Sequence, residues 1–122
     1  MGLRIGFVFL ALLSILSSLQ GVDLSQEQRG WLTKNAPIKL GSTDNWAPFD
    51  MRDTNGELVG INADFLKELS SEIGVSVEAY ISPTWDDVIK DAKAGKSHGV
   101  SAIPLAKEYE KDFIFTESYA KN

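Results

Sequence analysis

Two adjacent carboxylates, Asp86 and Asp87, and one histidine, His98, are the residues whose types first suggest proton-transfer chemistry in this 122-residue chain. Neighbouring positions on a helix point about 100° apart, so these two aspartates cannot face one substrate as an acid–base pair. Asp87 follows Thr84 by three residues, the spacing at which a side chain closes a helix N-terminus. His98 is the sole histidine and cysteine is absent. That leaves no thiolate nucleophile, no disulfide and none of the His- or Cys-rich metal sites, and His98 reads as structural. No catalytic, cofactor or metal-ligating residue is therefore assigned. Binding chemistry remains. Asp44 and Asn45 offer hydrogen bonds to a ligand amine, or serve as ordinary turn residues. Trp46 and Phe49 present aromatic faces in the same stretch, and Trp85 opens a helix further on.

Composition narrows the partner. Hydrophobic residues make up 43% and charged residues 24%, which suits a soluble globular chain of one domain. Seventeen acidic against 12 basic side chains give a net charge of -5. That balance argues against nucleic acid or an anionic membrane surface as partner.

The N-terminus reads as an address. After Arg4, residues 5–16 run apolar except for Ser14, and small residues follow at Ser17, Ser18 and Gly21. This run is short for a bilayer span and suits a secretory signal peptide over residues 1–21. An uncleaved membrane anchor is the alternative. Either way the rest of the chain is expected outside the cytoplasmic membrane, periplasmic or secreted, with no membrane contact of its own once the signal is removed.

The elements that must position the candidate residues follow from periodicity and caps. Ser25 and Gln28 form a capping box opening a short helix over residues 26–34, within a leader at 24–35. Residues 38–42 alternate as a first strand. Asn55-Gly56 between residues 49–52 and 57–60 predicts a hairpin. Apolar positions 61, 65, 66, 69 and 73 define a helix face stopped by Gly74. Residues 75–81 alternate as a strand. Thr84 opens a helix whose inner face is Trp85, Val88, Ile89 and Ala92, and Gly95 ends it. Residues 99–103 form a strand, 105–111 a helical turn and 113–115 a last strand. Strands alternating with helices predict an α/β fold with a parallel sheet and right-handed crossovers. Ligands in such sheets bind beyond the carboxyl ends of the strands, here residues 42–49, 82–85 and 103–106.

The ordered segments IKLGSTDNWAPFD, RDTNGELVGINADFLKEL, EIGVSVEAYI, TWDDVIKDAKAGKSHGV and FIFTESY resemble the first lobe of bacterial periplasmic solute-binding proteins of the amino-acid-binding type. The leader LSQEQRGWLTKNAPIKLG resembles the variant found in BvgS-type sensor domains. The resemblance spans residues 24–119 and implies one lobe, over residues 36–122, of a two-lobed clamshell that closes on a small ligand without chemistry. It also implies that Trp46 and Phe49 stack on the ligand, where simple packing between loop and sheet is the other reading. The family pattern has Ser/Thr and Arg holding an α-carboxylate, arginine offering two parallel charge-assisted hydrogen bonds. Here Pro104 stands for the Ser/Thr and Tyr109 for the Arg. His98 replaces Asp, Ala102 Gly, Ala106 Thr and Ser118 Pro.

The expected ligand wall is therefore Asp44, Trp46, Phe49, Trp85, Ile103, Pro104 and Tyr109, with Trp85 open to a core role as well. Tyr119 is expected to be structural or without a role. Family members run on past the matching tyrosine into a second lobe, whereas this sequence ends at Asn122, so the chain is expected to be a gene fragment, a truncated reading frame or a one-lobe relic, with the second lobe missing. The implied function is extracytoplasmic binding of a small polar, amino-acid-like solute. Its partners would be a membrane permease or a sensor kinase. The alternatives are a single-lobe interaction module, or part of a sensor kinase or lytic transglycosylase.

Overall fold

The computed structural model describes residues 21–119. The signal-peptide reading falls almost wholly outside that range. Among the described residues no helix is long and apolar enough to cross a membrane.

The chain enters through α1 (Gln26–Asn35). Its capping box is complete: Ser25 Oγ accepts from the Gln28 amide at 3.1 Å and Gln28 Oε1 accepts from the Ser25 amide at 2.9 Å. Strand β1 (Ile38–Ser42) follows, then the short β2 (Asn45–Trp46), β3 (Asp50–Arg52) and β4 (Leu58–Val59). These three form a separate antiparallel sheet in sequence order. Its Asn-Gly turn closes with the Gly56 amide donating to the Asp53 carbonyl at 3.0 Å, as a hairpin signal of that type requires.

Helix α2 (Ile61–Ile73) ends at Gly74, whose φ of 74° is left-handed, with its amide bonded to the Ser70 carbonyl at 3.0 Å. Strand β5 (Val77–Ile81), helix α3 (Trp85–Lys93), strand β6 (Gly99–Val100) and the single turn α4 (Lys107–Glu110) complete the order. Thr84 caps α3 by accepting from the Asp87 amide at 3.2 Å, and its hydroxyl donates back to the Asp87 carboxylate at 2.7 Å. Asp87 is thus committed to the cap.

The main sheet is parallel in the order β5-β1-β6. Alternation along β1 assigns its two faces. Ile38 and Leu40 join Leu66, Leu69, Ile73, Val77 and Ala79 in the core under α2. Gly41 points the other way, where a Cβ would meet Val88 of α3 at 3.1 Å. Val88 is fully buried. Helices on opposite faces of a parallel sheet, one in the crossover from β1 out to β5 and one in the return from β5 past β1 to β6, are what right-handed crossovers in two directions produce.

Several sequence expectations need correction. The buried stripe of α2 includes Asn62 and Leu66, while Ile61 and Phe65 are 46% and 36% exposed. The strand at 99–103 shortens to Gly99–Val100. Residues 113–115 form no strand: Ile114 is fully exposed, and the Phe113 ring instead meets Tyr109 edge-on at 6.5 Å. The strand expected from residue 75 begins at Val77, although the Ile38 amide already bonds the Ser76 carbonyl at 2.8 Å.

Candidate ligand-binding site

Strand β1 lies between β5 and β6, and the chain leaves it towards β5 but arrives at β6 from the far side. The carboxyl ends of β1 and β6 therefore flank the topological switch point, where crevices open in α/β sheets. The loop from β1 to β3 and the segment after β6 continue from these two ends.

In that loop the rings of Trp46 and Phe49 lie 4.6 Å apart, tilted by 31°, and Trp46 remains 37% exposed. The Phe49 amide closes the loop on the Trp46 carbonyl at 2.8 Å. Asp44 is ion-paired with Arg52 Nε at 2.7 Å, and Arg52 also donates to the Gly56 carbonyl at 2.9 Å. This pair is exposed, so it ties loop to hairpin and adds little stability.

A second group forms around α3. The indole Nε1 of Trp85 donates to the Tyr109 hydroxyl at 2.9 Å with the rings edge-to-face at 6.4 Å. Tyr109 is thus joined to the residue that opens α3. Ile103 is half-buried and Pro104 exposed. The structure brings together Trp46 with Phe49, and Trp85 with Tyr109, as two separate aromatic pairs at the same edge of the sheet.

Beneath the first pair lies a buried polar cluster that periodicity did not reveal. Asp50 and Asn62 are both fully buried. Asp50 Oδ2 accepts from Ser42 Oγ at 2.5 Å and from Asn62 Nδ2 at 2.6 Å, while Asp50 Oδ1 has no hydrogen-bond partner. Asn62 Oδ1 in turn accepts from the Tyr119 hydroxyl at 2.6 Å, and that hydroxyl also reaches the Ser101 carbonyl at 3.0 Å. The Tyr119 ring stacks on Phe65 with centroids 4.3 Å apart and planes within 6°. Burial, with the nearby Asp50 charge as a lesser cause, pushes the Tyr119 phenol above its usual value, so it stays a donor. The only sequence signal for this cluster was an asparagine on an otherwise apolar helix stripe. Tyr119, expected to be structural or without a role, is its outer member.

His98 is structural, as read. Its Nδ1 accepts from the Lys39 amide at 3.0 Å, its own amide donates to the Lys39 carbonyl at 2.7 Å, and its ring meets Trp31 of α1 edge-on. Among the described residues no group of three or more His, Cys, Asp or Glu could hold a metal ion.

Residues 38–122 match the family described as bacterial extracellular solute-binding proteins, family 3. The histidine-binding periplasmic protein of Escherichia coli K12 is 28% identical over 81 residues, which are 66% of this chain and 31% of that protein. The chain thus spans about a third of the length of the curated relatives it matches. Among solved structures, an ancestral cationic amino acid solute-binding protein superposes with a TM-score of 0.60 at 30% identity, covering 68% of this chain and 36% of that one. The periplasmic domain of B. pertussis BvgS shares the fold, with a TM-score of 0.69 at 21% identity over 73% of this chain and 17% of that one.

Proposed function

Since the chain belongs to family 3 of the bacterial extracellular solute-binding proteins, we propose that its lobe supplies one wall of a binding site for an amino-acid-like solute. The observation that carries this reading is the Trp46–Phe49 pair, held at the carboxyl edge beside the switch point with Trp46 still 37% exposed. Trp85, Tyr109, Ile103 and Pro104 complete the wall, and Asp44 flanks it. Binding proceeds without covalent chemistry, outside the cytoplasm, and serves a permease or a sensor kinase. A ligand shifts an open–closed equilibrium only through unequal contacts with the two states, so the full response requires a facing surface as well as this one.

The similarity to proteins that bind histidine and cationic amino acids supports those solutes as first probes. Tyr109, committed to Trp85, supplies no guanidinium fork for an α-carboxylate. Recognition by this wall therefore leans on stacking rather than on an arginine clamp. The test is a Trp46→Ala variant examined for cooperative melting and for solute-induced chemical-shift changes. The reading expects melting to persist and the changes to vanish. Unchanged solute response in that variant would remove Trp46 from the site.

A further inference from the structure

We propose that Asn62 and Tyr119 are positioning residues: through Asp50 they fix the aromatic loop of the candidate site against the start of α2 and the end of β6. The proposal rests on the reading of that loop as a ligand wall.

The donors and acceptors run in one direction. An amide nitrogen only donates, so Asn62 Nδ2 donates to Asp50 Oδ2, which also accepts from Ser42 Oγ. Donation by its amide nitrogen turns the Asn62 carbonyl oxygen towards Tyr119, which must then donate. Asp50 Oδ1 has no partner, so Oδ2 alone ties this buried side chain in place. Losing a donor there leaves more of a buried charge unsatisfied, and a loop moves to relieve such a cost.

Asp50 is covalently next to Phe49, and the same helix end grips Phe49 through its backbone. The Ile61 amide donates to the Pro48 carbonyl at 3.1 Å and the Asn62 amide to the Phe49 carbonyl at 3.0 Å. Gly60, at φ 124°, lies so close that a Cβ would overlap the Phe49 carbonyl. At the other end Tyr119 reaches the Ser101 carbonyl, and Ser101 is itself bonded through its amide to the Gly41 carbonyl at 3.0 Å. The one proton of this hydroxyl, given to Asn62 at the shorter distance and shared with the Ser101 carbonyl, ties Tyr119 to the start of α2, to the end of β6 and, through Asn62 and Asp50, to Phe49. A shift of the aromatic loop is thereby coupled to the seat of Tyr119, and the reverse.

Tyr119→Phe tests this with little disturbance, because the ring keeps its stack on Phe65. Amide hydrogen exchange of the whole chain, followed by NMR, is the readout. The amides of Phe49, Ile61 and Asn62 are expected to exchange about tenfold faster while those of β5 change by less than about twofold. The Trp46 indole resonance is expected to move as well. Asn62→Leu should give the same local pattern more strongly, and if it does not fold, Tyr119→Phe decides alone. Unchanged exchange at those three amides, or an equal increase throughout the sheet, overturns the proposal. No ligand enters the experiment, so its outcome is separate from whether a solute binds.

Discussion

Trp46 has two partial commitments: its ring packs on Phe49 and over a third of its surface stays open. Truncation to alanine should cost about 0.5–1.5 kcal/mol of stability, the worth of an aromatic pair, and more of binding. Thermal melts alongside solute titrations separate the two. Tyr119 is the other residue whose chemistry has a measurable signature. Its phenol is raised in the folded state by burial and by Asp50, so the folded chain holds that proton more tightly than the unfolded one. The corresponding stability is fully present below the ordinary tyrosine value of 10.0 and is lost as pH rises through the higher folded value. Melts across this alkaline window should fall less steeply for Tyr119→Phe than for the parent. Lys96, also raised through its bond to Asp91, contributes to the slope of both and cancels in the comparison. An identical slope for the two proteins would show that Tyr119 titrates no differently when folded.

The elements divide according to how local their causes are. Ser25, Thr84 and Gly74 announce helix ends, and each makes the bond its position demands. Asn55-Gly56 fixes the hairpin in the same way. Residues 113–115 fail because Phe-Ile-Phe carries strand propensity but specifies no neighbour, and a strand needs a ladder partner as well. Helix α2 misled for a related reason. Ile61 and Phe65 lie at the margin of the apolar stripe, and the sheet meets the helix one position round, where Asn62, Leu66, Leu69 and Ile73 point. The buried cluster was illegible because Ser42, Asp50, Asn62 and Tyr119 converge from four distant segments. The Trp46–Phe49 contact, three residues apart in one loop, was accessible from sequence. A local prediction follows at Gly60, where a positive φ and the adjacent Phe49 carbonyl both exclude a side chain. Gly60→Ala should destabilise the fold by at least about 1–3 kcal/mol, read from denaturant midpoints. A change below about 0.5 kcal/mol would mean the turn relaxes freely.

The described residues form one parallel sheet and one small three-stranded antiparallel sheet, and the proposed wall lies at the carboxyl edge of the first. That placement follows from topology: right-handed crossovers force α2 and α3 to opposite faces, and the switch beside β1 leaves the edge open. Family membership gives the architecture its functional sense, while the replacements at Pro104 and Tyr109 shift the expected recognition from charge to aromatic surface. The most direct test is a two-dimensional amide and indole NMR titration of this chain with L-arginine, L-lysine and L-histidine, carried to about millimolar concentrations. The account predicts saturable shifts concentrated at Asp44, Trp46, Phe49, Trp85 and residues 103–109. No shifts with any of the three, or shifts centred on α1 and the amino ends of the strands, would contradict it.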